Sequence, residues 1–259
     1  MTDVTFVTYA SGSYRKNIFW NRFFVKYFFR PKELFFFTDD NLKKDLVYLA
    51  NRKVFDAKMG GGYWAWKPWV ILQAMRKAAE GDLVVYQDCG KGLKYKIFAR
   101  PKGLLDFALS HGAMPGVFVP SHGENWRWTH AKCFEVMGCN NPKYFESPQV
   151  EASVSMWVVN DKNIAFLEEW LSFCLDLDVV GDSTEEERDG FVCHRYDQSI
   201  LTNLVIKYDY PAMLDPFDVP HFSKSLSFLN LSVTCGNPFL GAMYSCLLGL
   251  LKLRRFLKQ

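Results

Sequence analysis

The chain reads as an α/β protein with a mostly parallel sheet flanked by helices, and three observations lead there. Short β-branched and aromatic runs alternate with helix-period segments from the first residues on, the order that builds parallel sheets through crossover helices. Leu83 to Tyr86 is an uninterrupted apolar run, as in a strand buried on both faces. Hydrophobic residues make up 49% and charged residues 23% of the 259, enough for a sizeable core.

Taken in order, Val4 to Tyr9 forms the first strand, stopped by a turn at Ser11, Gly12 and Ser13. Tyr14 to Phe29 mixes basic and aromatic residues at helical spacing, predicting a helix with one wide apolar face that ends at Pro31. Leu34 to Phe37 is a second strand closed by Thr38, Asp39 and Asp40. Residues 41–50 suggest a short helix and residues 53–55 a short strand. Gly60, Gly61 and Gly62 free the backbone ahead of Tyr63, Trp64, Trp66 and Lys67. Pro68 suits a first helical turn, and Val70, Ile71, Ala74, Met75 and Ala78 mark one apolar helix face. Gly81 and Asp82 stop that helix, and the strand from Leu83 ends in Gln87, Asp88, Cys89 and Gly90.

Beyond Gly92, residues 97–109 repeat apolar positions at helical spacing, and Val117 to Val119 is another short strand. The loop after it gathers His122, Trp126, Arg127, Trp128, His130 and Lys132. It either lines a binding groove or starts a helix whose tryptophans pack inward. Residues 147–159 alternate as one strand, with Gln149, Glu151 and Ser153 on a shared face. Residues 163–175 form an amphipathic helix, and 182–189 an acidic, solvated loop. His194, Arg195, Asp197 and Gln198 then precede a helix with Ile200, Leu201, Leu204 and Val205 on its apolar face. Residues 239–259 read as a helical tail in which leucines meet Lys252, Arg254, Arg255 and Lys258, suited to an anionic membrane surface or to docking on the main domain.

A net charge of +3 is too small to argue for nucleic acid. The seven cysteines are scattered, with no pair at zinc-finger or disulfide-framework spacing, which fits a reducing compartment. Neither a signal peptide nor an apolar run long enough to span a bilayer is visible. The expected location is therefore the cytoplasm, with the tail on the inner face of the membrane.

A carboxylate just past a buried parallel strand sits where open α/β sheets bind ligands. The run YWAWKP, then a helix, then GDLVVYQDCG, and later HRYDQSILTNL, resembles the sugar-nucleotide glycosyltransferases of the GT-A fold, particularly bacterial and viral polysaccharide-type enzymes. The resemblance spans about residues 1–210, and its specificity lies in the combination. It implies one GT-A-like catalytic domain over 1–238, with a donor-nucleotide half at 1–110, an acceptor half at 111–238 and the tail at 239–259.

In that family the central strand ends in Asp-x-Asp, which holds Mn or Mg against the donor diphosphate. Asp88 matches the first aspartate, whereas Gly90 stands where the second would be and cannot bind a cation. A late histidine, His221, is the other metal candidate. The resemblance assigns donor contacts to Thr8, Tyr9 and Asp39 at the ends of the first strands. Tyr63, Trp66, Lys67 and Asp88 would join them, with His194 and Arg195 from the second half. Thr8 and Asp39 could equally cap turns, and Asp197 could cap its helix. Lys67, Arg195 or Lys224 would supply charge for the leaving diphosphate. For an inverting reaction Glu151 and Asp197 are the two candidates for the base; a helix start lowers the basicity of Asp197, which favours Glu151 as the base and Asp197, with Gln198, as the group that positions the donor sugar. The implied reaction is transfer of a sugar from a nucleotide-sugar donor to a glycan or glycolipid acceptor. Sugar-nucleotide nucleotidyl transfer and non-catalytic carbohydrate binding are the alternatives.

Overall fold

The structure is a computed structural model and describes residues 2–90 and 102–210. Residues 91–101 and the stretch beyond 210, with His221, Lys224 and the 239–259 tail, lie outside the described residues. Strand β1 (Val4–Ala10) leads into a helical run containing α1 (Ile18–Phe24), and β2 (Glu33–Thr38) returns alongside it. Helix α2 (Trp66–Met75) feeds β3 (Leu83–Gln87), and α3 (Lys102–His111) precedes β4 (Ala113–Met114) and β5 (Val117–Phe118). The short strands β6 (Val150–Glu151) and β7 (Val154–Val158) are followed by α4 (Asp161–Cys174) and α5 (Asp197–Lys207).

Five strands form the main sheet in the order β2-β1-β3-β7-β4. β1 pairs parallel with both β2 and β3, while β7 is antiparallel to β3 and to β4. Four of the five strands therefore run one way and only β7 is reversed, which is the expected mostly parallel α/β sheet. Alternation along β3 sends Val84 and Tyr86 to the side of α2, α4 and α5. Leu83 and Val85 go to the opposite side, against Val25, Phe29, Leu105 and Ala108. Cover on both faces explains why the strand reads as a continuous apolar run.

Several local expectations are corrected. Residues 147–159 are two strands in different sheets, because a turn at Ala152 and Ser153 breaks them: β6 pairs with β5, and β7 enters the main sheet. Residues 53–55 belong to a helical turn (Arg52–Phe55), and residues 41–50 split into the turns Asp39–Leu42 and Leu46–Ala50. Helix α2 is buried on every side except around Gln73, so its apolar character is circumferential rather than a stripe. Among the described residues no helix is long and apolar enough to cross a membrane.

The loop before α2 has an unusual backbone. Gly60, Gly61, Gly62, Tyr63 and Trp64 are five consecutive residues with φ of 57°, 63°, 99°, 52° and 58°. Three glycines make the first part inexpensive, but Tyr63 and Trp64 adopt a left-handed conformation that costs a side-chain-bearing residue about 1–2 kcal/mol. A Cβ on Gly62 would lie 2.8 Å from the Cα of Phe55, against backbone that cannot yield. Gly62→Ala should therefore lower stability by clearly more than about 1 kcal/mol. Gly81→Ala, at φ 82° with no atom within 4 Å of the new Cβ, should cost only the conformational penalty of about 1 kcal/mol. Urea denaturation of both variants checks this, and equal losses would mean that the loop yields around Phe55.

Candidate active site

The carboxyl ends of β1 and β3 lie side by side, and the Thr8 hydroxyl ties them by donating to the Gln87 carbonyl at 2.5 Å. Just past β3, the Asp88 N–H continues the ladder to the Ser153 carbonyl at 2.9 Å. This turns the Asp88 side chain toward the amino ends of α2 and α5. Lys67, second residue of α2, puts its Nζ 2.8 Å from Asp197 Oδ2 and 3.8 Å from Asp88 Oδ1. Lys67 and Asp197 are almost fully buried, whereas the Asp88 side chain is 32% exposed and opens the cluster to solvent. The Tyr86 hydroxyl, on the same face of β3, donates to Asp88 Oδ1.

Burial works to strip the Lys67 ammonium of its proton, and Asp197 followed by Asp88 outweighs it, so the side chain stays charged above the ordinary lysine range. Burial raises the Asp197 pKa to about 6 against the pull of Lys67, and the negative charges of Asp88 and Glu151 add to the rise. This reverses the expectation of lowered basicity: desolvation exceeds the helix-end effect. Nor is Asp197 the cap of α5. It is the first helical residue, and the residue before it, Tyr196, sits at φ 54° and ψ −122°. The Trp170 indole donates to the Asp197 carbonyl at 3.0 Å and pins that helix start.

Tyr196 packs on the strained loop, its ring 5.5 Å from that of Tyr63 and 5.6 Å from that of Trp64. Backbone outliers from both halves of the chain thus meet beside the ion cluster, the kind of place where proteins retain strain. Trp66 lies deeper. It stacks on Tyr9 at 4.2 Å, donates to the Gly60 carbonyl at 3.0 Å, and is only 6% exposed. Both rings belong to the core, so truncating Trp66 removes packing worth about 3–5 kcal/mol before any ligand is considered.

Asp39, at the end of β2, is held by Arg15, whose Nε donates at 2.8 Å and which also pairs with Asp40. His194 is buried against His130 with ring centroids 4.0 Å apart, and burial then the neighbouring histidine keep it well below its ordinary pKa, hence neutral. His130 caps the helix Ala131–Val136 by accepting from Cys133 N–H at 2.9 Å, so that loop does start a helix. The Arg195 guanidinium lies 4.5 Å above the Trp128 ring.

Gln198 belongs to a buried amide network. It donates to Gln149 at 3.0 Å, Gln149 donates to Asn125 at 2.5 Å, and Asn125 donates to Asn203 at 2.8 Å. This network fastens α5 to the stretch before β6, and it accounts for a helix buried on its polar side too. Glu151, on β6, is half-buried and accepts from the Ser153 hydroxyl. Tyr86, Tyr196 and the Gln149–Asn125 link had no sequence assignment. Tyr86 alone carried a readable signal, standing two residues before Asp88 on one strand face.

The described residues do not by themselves fit a resident divalent ion. Asp88 is one carboxylate, already facing an ammonium, Gly90 offers no side chain, and no group of three or more His, Cys, Asp or Glu among the described residues could hold a metal.

No protein-family model matches the chain, and no curated protein matches it. Among solved structures it is similar to mouse xyloside xylosyltransferase 1 in its apo form, with 13% identity and a TM-score of 0.45 over 82% of this chain and 71% of that one. It is also similar to the apo structure of WbbM, a bifunctional glycosyltransferase, with 12% identity and a TM-score of 0.43, over 83% of this chain but 39% of WbbM. At such identities and scores the likeness concerns the fold alone.

The raised Asp197 pKa has a definite consequence for stability. The group binds its proton more tightly folded, at about 6, than unfolded, near 4. Its contribution is complete below the unfolded value and is lost as pH rises through the folded one. Asp197→Asn removes this dependence. Stability of the native protein relative to that variant should fall by roughly 2–3 kcal/mol between about pH 4 and pH 7. Parallel urea titrations measure it, and a difference that is flat or grows toward neutrality would refute the raised value.

Proposed function

We propose that the protein is a glycosyltransferase that moves a sugar from a nucleotide-sugar donor to a glycan or glycolipid acceptor. The observation that carries this reading is the convergence of Asp88, Lys67 and Asp197 at the carboxyl ends of β1 and β3. The sheet order turns outward on either side of these two strands, and such a crevice is the usual ligand position in open α/β sheets. The amino ends of α2 and α5 both reach it, and helix starts favour anionic groups such as a diphosphate.

In this reading the half-exposed Asp88 is the group that meets the donor. Lys67 offsets the charges of Asp88 and Asp197, and the favourable potential for the leaving diphosphate comes from the starts of α2 and α5. Asp197 holds Lys67 in position, a change from the expected contact with donor-sugar hydroxyls. Glu151, on the strand beside the Ala152–Ser153 turn, is the base for an acceptor hydroxyl under inversion. It takes the hydroxyl proton as the acceptor oxygen bonds to the anomeric carbon, and the nucleoside diphosphate leaves with the electrons of the broken C–O bond. A divalent ion would need ligands from beyond the described residues, such as His221.

A panel of UDP-, GDP- and dTDP-sugars, assayed for donor turnover with and without manganese, tests the proposal. Asp88→Ala should reduce turnover of the accepted donor by more than about a hundredfold, in line with loss of a group acting at the reacting charge. Its melting temperature should fall, because the buried Tyr86 hydroxyl loses its acceptor and Lys67 loses one of its two carboxylates, so turnover is compared well below the transition, where circular dichroism shows the variant folded. Near-native turnover by Asp88→Ala would remove the assignment. Activity only with a nucleoside triphosphate and a sugar phosphate would establish nucleotidyl transfer instead. Glycan binding with no nucleotide response would point to a carbohydrate-binding protein.

A further inference from the structure

The helical run through residues 12–29 does not bury the wide apolar face its sequence suggests. Of its middle and end, only Asn21, Val25 and Phe29 are buried, Phe29 resting edge-on against Phe6 at 5.4 Å. Phe19, Trp20 and Tyr27 are 68%, 58% and 52% exposed. With Phe23 they form a contiguous surface, since Phe19 and Trp20 centroids are 5.2 Å apart and those of Phe23 and Tyr27 are 5.1 Å apart. Scattered exposed rings are ordinary, whereas a contiguous patch marks an interaction surface.

The charge around this patch identifies its partner. Between Ser11 and Lys32 the chain has six lysines and arginines and no aspartate or glutamate. Arg15 and Lys32 are engaged by Asp39, Asp40 and Asp3, while Lys16, Arg22 and Lys26 make no ion pair among the described residues. We propose that this aromatic and basic helical face docks the protein on anionic lipid bilayers. Phe, Trp and Tyr rings lodge at headgroup depth, and the unpaired cations meet anionic headgroups. A second copy of the chain is a poor occupant, because a two-fold contact would set the same acid-free cationic faces against each other.

Asn17 and Asn21 of the same run brace the residue after Asp88. Asn17 donates to the Cys89 carbonyl at 3.0 Å, and the Asn21 amide lies 3.4 Å from Cys89 Sγ. A bilayer bound here would sit beside the carboxyl end of β3. The inference stands apart from the transferase reading, since vesicle binding is measured without a donor.

The test is co-sedimentation of the full chain, tail included, with vesicles of phosphatidylcholine alone or mixed with phosphatidylglycerol. Binding is expected only to the anionic vesicles and should weaken with salt. The triple variant Phe19→Ser, Trp20→Ser, Phe23→Ser should lose it. The charge variant Lys16→Gln, Arg22→Gln, Lys26→Gln should weaken it by more than about tenfold, given about 1 kcal/mol per basic residue. All six positions lie outside the buried core, and circular dichroism verifies folding; should the aromatic variant misfold, the charge variant decides. Unchanged binding by a folded variant would assign membrane contact to the 239–259 tail and overturn the proposal. So would failure of the native protein to bind either vesicle, or a dimer that the aromatic variant dissociates.

Discussion

Lys67 is a cation buried at the amino end of a helix, where both desolvation and the helix dipole oppose it. Nothing nearby could tolerate it without the carboxylates of Asp197 and Asp88. Asp197 lies at the start of another helix, where the dipole favours a carboxylate, while its own burial opposes ionisation unless Lys67 stays beside it. Each buried charge is therefore acceptable only because the other is present. The ion pair links α2 to α5 across 130 residues of sequence, and through Asp88 it fixes both to the end of the central strand.

The neighbouring backbone serves the same junction. The left-handed run from Gly60 to Trp64 delivers Lys67 into α2, and the strained Tyr196 immediately precedes Asp197. The rings of Tyr63 and Trp64 rest on that of Tyr196, so the two strained segments support each other. On the other side of β3, the Asn17 and Asn21 amides couple the site to the helical run that exposes its aromatic and basic residues.

Much of this was legible in the sequence, for definite reasons. The β1 and β3 runs are buried and rich in β-branched residues, and the Leu34–Phe37 run of β2 is aromatic though only partly buried, so all three stand out by composition, and Asp88 is conspicuous because a carboxylate follows such a run. Lys67 and Asp197 were visible as motif residues, but their pairing was not: periodicity gives a face and carries no information on long-range contact. The break of residues 147–159 was hidden because alternation continues through Ala152 and Ser153 while the strand changes sheets. The helix through residues 12–29 misled for the opposite reason. Its aromatic spacing resembles a core face, and only the tertiary structure shows that the core was already filled by Val25 and Phe29. The polar side of α5 is buried as well, satisfied through Gln149 and Asn125, long-range contacts that the spacing of its apolar residues does not carry.

The mutual dependence of Lys67 and Asp197 is best measured by a double-mutant cycle on unfolding free energy. Lys67→Met leaves a buried carboxylate unpaired and Asp197→Asn leaves a buried ammonium with only the more distant Asp88, so each single change should be severe, about 3–5 kcal/mol for the first. The double variant removes both charges and should be less damaged than the sum by roughly 1–3 kcal/mol at neutral pH. Losses that add to within about 0.3 kcal/mol would show that the two groups are not energetically joined, and would contradict the account.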